Sequence, residues 1–181
     1  MSLVAARYVL EMEIDYDIDQ GQLHLGQKQF ILKMAIKFNC DEAHAVQNPL
    51  VFGQDLAPDD TQNILEDNTP YSELVGSLLY VANATRPYIS YSLSILSQYL
   101  YSPRTVHCRA AKRVLCYLKG TQDHGIKYYR STNDGAVLKA YCDANWGGDK
   151  HTRRPTSGVL IFLRDGPVVY RSKRQSSVAL S

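Results

Sequence analysis

No run of apolar residues in this chain approaches the roughly 20 that a membrane-spanning helix needs. The opening stretch, MSLVAARYVLEMEID, holds no long apolar core and soon turns acidic, so no secretory leader and no membrane partner are expected. The four cysteines, Cys40, Cys108, Cys116 and Cys142, form no CxxC pair, and Cys108 and Cys116 share a helix face only loosely. That missing spacing argues against a cysteine metal site. Isolated reduced thiols in a cytosolic or nuclear protein are the simplest reading. Carboxylates are also scarce where they would matter. The stretch LKAYCDANWGG, 138–148, delivers a single one, Asp143, to the C-terminal end of the apolar run Val137 to Tyr141. A polar turn with Asn145, Trp146, Gly147 and Gly148 follows. A strand-end carboxylate suits Mg²⁺, which takes oxygen ligands. Two-metal phosphodiester chemistry needs several carboxylates converging on ions roughly 3.5–4 Å apart, and Asp143 is one.

What is present is the composition of an ordered protein. The chain has 181 residues, 45% hydrophobic and 21% charged, enough for one ordinary domain or two small ones. Its net charge of +2 hides an asymmetry: residues 1–73 carry a net of −9 and residues 74–181 a net of +11. A basic half attracts polyanions by releasing their counterions. The alternative is a solvated surface neutralised by its acidic neighbour, and charge alone leaves both open.

Hydrophobic spacing sets the elements. Arg7 to Tyr16 and Gln22 to Leu25 flank Asp19-Gln20-Gly21 and predict a hairpin, with Gly21 at positive φ. Phe30, Ile31, Met34, Ala35 and Phe38 give Gln27 to Phe38 a helical period. Cys40 to Pro70 loses periodicity and collects Pro49, Pro58 and several Asp and Asn, as a linker or long surface loop does. Three helices are predicted next, near 71–84, 88–101 and 104–119. Thr69 is the expected cap of the first, with Pro70 at its first position and Leu74, Leu78 and Val81 inward. Arg86-Pro87 breaks the chain before a face of Ile89, Leu93, Leu96 and Leu100. Ser102 is the expected cap of the third, which turns Ala111, Val114, Leu115 and Leu118 inward and carries Arg109, Lys112, Arg113 and Lys119 on its other face. Gly120 is the expected stop. Strands are predicted over 125–130, 137–142, 157–163 and 167–172, the last two joined by an Asp165-Gly166 turn, with Thr156, Ser157 and Gly158 turning into the third. Helices followed by strands make an α+β protein or two small domains.

The runs YSELVGSLLYVANATRPYISYSLSILSQYL, HCRAAKRVLCYLKGT with GIKYY, YCDANWGGD, PTSG and SKRQSSVALS closely resemble the Pol polyproteins of copia-type LTR retrotransposons. The resemblance covers Arg7 to Ser181, with the motifs in the family's order and spacing. It implies an α+β fold in which a helical, thumb-like bundle precedes a truncated ribonuclease H-like antiparallel sheet. Residues 1–122, including linker 40–70, resemble the C-terminal part of a reverse transcriptase. Residues 123–181 resemble the N-terminal half of a ribonuclease H. The parent enzyme copies RNA into DNA and hydrolyses the RNA strand of a hybrid with Mg²⁺. Its polymerase aspartates lie in a YVDD-like motif upstream of the hairpin, which this chain lacks. Of the ribonuclease H carboxylates only Asp143 has a match here, because the glutamate belongs just after the SSVALS-like segment. Asn145 stands where the family usually has Asp. Tyr88 and Cys108 replace residues usually acidic and aromatic, and Pro155 interrupts a segment where Ser is usual.

The resemblance therefore implies Asp143 as a remnant catalytic and metal-binding residue, with Mg²⁺ held weakly or not at all by this chain. It implies that Arg109, Lys112, Arg113 and Lys119, with Lys173, Arg174 and Gln175, lie along a nucleic-acid backbone. Plain alternatives stand beside each: a turn carboxylate for Asp143, solvated faces for the cations. Asp149 reads as a solvated loop carboxylate and Trp146 as a packing residue. His107 reads as a first-turn polar residue without a nucleophile to serve. The expected partners are an RNA–DNA hybrid or other nucleic acid and the remainder of the polyprotein. The alternatives are a domesticated nucleic-acid-binding module without catalysis and a degenerate product with no selected role.

Overall fold

The computed structural model describes residues 7–51, 53–54, 56–57, 64–65, 67, 69–130, 137–145, 156–163 and 165–175. Among these residues the fold is α+β, with four α-helices and two antiparallel sheets. The first sheet runs β1 (Tyr8–Val9), β2 (Met12–Asp17), β3 (Gln22–Gly26) and β4 (Ile126–Tyr129), in that order. The β2–β3 hairpin is the expected one, and Gly21 takes φ +63°. A Cβ there would lie 2.5 Å from that of Arg130, so glycine is required twice over. The run from Arg7 to Tyr16 is not one strand. It breaks at Leu10 and Glu11, both at positive φ, where a two-residue turn joins Val9 to Met12. Neither residue carries the usual Asn or Gly signature of such a turn.

The helices are α1 (Lys28–Lys37), α2 (Thr69–Ala84), α3 (Ser90–Leu96) and α4 (Thr105–Gly120). Their inward faces make the main core. Ile31, Val75, Leu78, Val81, Leu93, Leu96, Ala111, Val114, Leu115 and Leu118 are all fully buried. The expected second helix is shorter than its period suggests: 3-10 turns at Pro87–Ile89 and Ser97–Tyr99 bracket α3, and Leu100 lies past its end, half-buried. The serines account for this. Ser94 Oγ donates to the Tyr91 carbonyl at 2.7 Å and Ser97 Oγ to that of Ser94 at 3.2 Å, in competition with helix bonding.

Two expected caps are corrected. Thr69 is already the first helical residue of α2. The cap of α4 is Arg104, not Ser102: the Arg104 N–H donates to His107 Nδ1 at 2.9 Å, and Arg104 bridges antiparallel to Ile64. That bridge keeps 103–104 extended and delays the helix. Gly120 is the last helical residue without a left-handed φ. Its lack of a Cβ matters instead because one would sit 2.7 Å from Ala45 Cβ. Between α1 and α2, the described residues from Cys40 to 67 form no helix or named strand, whereas Thr69 and Pro70, read as the end of that segment, open α2.

The second sheet runs β5 (Leu138–Asn145), β6 (Thr156–Leu163) and β7 (Gly166–Arg174), consecutive and antiparallel as predicted. Thr156 to Gly158 belong to β6 itself, and Gly166 opens β7 opposite Leu163 rather than standing in the turn. A Cβ on Gly166 would meet the Tyr128 ring at 2.1 Å, so the residue serves a close approach to β4. The boundary read at 122/123 falls between α4 and β4, yet β4 pairs with β3 in the first sheet. The second sheet docks on the first through the Tyr128 hydroxyl, which donates to the Pro167 carbonyl at 2.8 Å. It docks on α2 through the Tyr170 hydroxyl, 2.6 Å from the Asn83 carbonyl.

Candidate nucleic-acid interface and the Asp143 strand

Helix α4 is anchored at its start by a buried histidine. His107 Nδ1 accepts from the Arg104 N–H, so the neutral ring carries its proton on Nε2 and donates it to the Leu56 carbonyl at 2.9 Å. Tyr99 stacks on the ring with centroids 3.9 Å apart. Burial pushes the His107 pKa down. The residue thus fixes the linker to the helix.

With one face of α4 buried, its cations divide. Arg109 and Lys112 are exposed and Arg113 is half-buried. Spaced three and four residues apart, they share one side of the helix. None has an ion-pair partner among the described residues. Lys119 differs. Its ammonium donates to the carbonyls of Cys40 at 3.2 Å, Asp41 at 2.7 Å and Ala43 at 2.5 Å, tying the linker to the end of α4. That use satisfies all three of its donors. The cations of α1, by contrast, are spoken for: Lys28 pairs with Asp123 at 2.7 Å, Lys33 with Glu11 at 2.9 Å, and Lys37 with Glu73.

The expected residues of β7 also divide. Lys173 is exposed, the side chain of Arg174 lies outside the described residues, and Gln175 Nε2 donates to Ser157 Oγ at 2.6 Å, clamping β7 to β6. Sequence reasoning passed over Arg171, exposed on β7 beside Lys173. Both line a cleft of about 480 Å³ against α2 and α3, with Asn83, Ser94 and Gln98 opposite. An alternation of Arg171 and Lys173 along one strand was the available signal. The structure does not gather all the predicted cations: α4 packs on α1, α2 and α3, whereas β7 packs on α3 and β4.

Asp143 is the sixth of the eight residues of β5, opposite Gly158, so the strand continues past the end expected for it. Its carboxylate is exposed and has no hydrogen-bond or ion-pair partner among the described residues. No group of three or more His, Cys, Asp or Glu among those residues could hold a metal ion. Asp149 and Trp146 lie outside the described residues. The four cysteines are free thiols, with Cys40 and Cys116 buried. Burial first, and Cys116 beside it second, push the Cys40 thiol up. Among the described residues no helix is long and apolar enough to cross a membrane.

No protein-family model matches the chain, and no solved structure matches it. Curated relatives do. The chain is 38% identical over 159 residues to the retrovirus-related Pol polyprotein from transposon RE1 of Arabidopsis thaliana, covering 88% of this chain and 11% of that protein. It is 32% identical to the Pol polyprotein from transposon TNT 1-94 of Nicotiana tabacum, covering 97% of this chain and 13% of that protein. It is 44% identical over 114 residues to the secreted RxLR effector protein 161 of Plasmopara viticola, covering 63% of this chain and 79% of that protein. The chain thus spans about a tenth of the length of the polyproteins it matches, and it belongs to the Pol polyprotein family of copia-type retrotransposons.

Proposed function

We propose that this chain is a Pol segment made of the end of a reverse transcriptase with its thumb-like helices, followed by the opening sheet of a ribonuclease H, and that it binds an RNA–DNA hybrid without cleaving it. The observation that carries the binding is α4: Arg109, Lys112 and Arg113 have no ion-pair partner among the described residues and stand on one side of a helix whose other side is locked into the core. Rigid, unpaired cations gain most from replacing counterions along a phosphate backbone. Catalysis is left out of the reading because hydrolysis needs carboxylates to fix two ions and orient water, and no group of three or more His, Cys, Asp or Glu that could hold a metal stands among the described residues. A labelled hybrid tests both halves. Its anisotropy should rise with added protein and fall steeply with salt, and its RNA strand should remain intact in Mg²⁺. Cleavage abolished by Asp143→Asn, or binding indifferent to salt, contradicts the reading. A second reading is a standalone binding module. It draws on the Plasmopara viticola relative, a short protein of which the chain covers 79%.

A further inference from the structure

The cleft between β7 and α3 has two walls of different chemistry, both built of described residues. Arg171 and Lys173 stand on the β7 wall. Both are exposed, and neither has an ion-pair partner among the described residues. The alternation of a strand puts them on one face, about 6.7 Å apart along it. Neighbouring phosphates of an extended nucleic-acid strand have a similar spacing. No Asp or Glu is among the described residues lining the cleft, so no carboxylate there competes for the two cations.

The α3 wall is neutral. Ser90, Ser94 and Ser97 recur at i, i+4 and i+7, along one side of α3 and the turn that follows it. Ser94 Oγ and Ser97 Oγ already donate to carbonyls of their own segment. Toward the cleft they present lone pairs, which accept from sugar hydroxyls and base amino groups but give nothing to an anion. Asn83 adds an exposed amide that both donates and accepts. The Tyr170 hydroxyl, donating to the Asn83 carbonyl at 2.6 Å, ties one wall to the other. A bare phosphate would use the β7 wall alone. The volume of about 480 Å³ leaves room for the sugar and base that use the second.

We propose that this cleft holds a single nucleic-acid strand, with neighbouring phosphates on Arg171 and Lys173 and a sugar and base edge against the serine wall. The site is separate from α4 and does not depend on hybrid binding there. A fluorescein-labelled run of about ten uridines, too uniform to form a duplex, tests it with the 181-residue chain. Its anisotropy should rise on titration. Arg171→Ser with Lys173→Ser should weaken binding about tenfold and make the slope of log K against log salt shallower by about 1.4, two phosphates at about 0.7 each. Ser94→Phe fills the cleft without changing the charge and should weaken binding by a similar factor. Circular-dichroism melts of the variants should match the wild type. Inorganic polyphosphate should compete poorly at equal charge, since it leaves the serine wall unused. An oligomer held as tightly by the Arg171 and Lys173 double variant as by the wild type, full affinity in a folded Ser94→Phe chain, or displacement by polyphosphate charge for charge would overturn the proposal.

Discussion

His107 joins two segments by a pair of hydrogen bonds that only the neutral ring can make. A second proton would have to sit on Nδ1, which already faces the Arg104 N–H. Burial lowers its pKa in the folded chain below the unfolded value of about 6.5. Between those two values the unfolded chain binds more protons than the folded one, so stability rises with pH there. The contribution is whole above about pH 6.5 and is lost as pH falls through the lower folded value. Urea midpoints measured from pH 7 to 4.5 should therefore drop on the acid side in the wild-type chain, and less steeply in His107→Gln. Parallel curves would show that His107 carries no such linkage. Arg86 makes a related point about what a sequence conceals. It reads as a chain breaker before Pro87, yet it is fully buried. Its guanidinium bonds to the Tyr88 and Thr121 hydroxyls and, at 3.1 Å, to the His124 carbonyl. Only Tyr88, two residues on, is a near neighbour; the other two partners, Thr121 and His124, follow the far end of α4 and leave no local mark.

At the scale of elements, long periodic segments were legible and punctuated ones were not. The faces Leu74, Leu78, Val81 and Ala111, Val114, Leu115, Leu118 were read correctly, since burial follows the 3.6-residue period directly. Tyr71, Val75 and Ala82 were missed on α2 because the helix is buried more widely than a single stripe. β4 was recognised as a strand but not as the fourth member of the first sheet, since the pairing of β3 with β4 crosses a hundred residues and leaves no local mark. The Leu10–Glu11 turn was missed for a chemical reason: its residues are wrong for their backbone. A left-handed conformation costs an L-residue with a bulky side chain about 1–2 kcal/mol, and Asn tolerates it far better. The Leu10 side chain is 74% exposed, so little packing is lost on replacing it. Leu10→Asn should stabilise the chain by about 0.5–1 kcal/mol and raise its melting temperature by about 2 °C. A lower melting temperature would show that the side chain contributes something beyond the turn.

Across the whole molecule, the charge asymmetry acquires a structural meaning. The cations of α1 sit in the acidic part of the chain and are matched by Glu11, Glu73 and Asp123. The cations of α4 sit in the basic part and, among the described residues, have no ion-pair partner, while Lys119 holds the linker. Of the candidate site, the basic face of α4 was therefore legible in residue spacing. The diversion of Lys119 and Gln175 into structural bonds was not, because each bonds a group distant in sequence or on a neighbouring strand. The position of Asp143 short of its strand's end was hidden for the same reason: where a strand stops depends on the length of its partner, β6. The central claim is that α4, rather than positive charge in general, binds the hybrid. Hybrid affinity should be compared between Arg109→Glu with Lys112→Glu and a control, Lys28→Glu with Lys33→Glu, which changes the net charge equally on α1. The account predicts that the α4 variant loses about tenfold or more in affinity and that its log K against log salt slope becomes shallower by about two, with the α1 variant close to wild type. Equal losses in both variants, or no loss in the α4 variant, would contradict it.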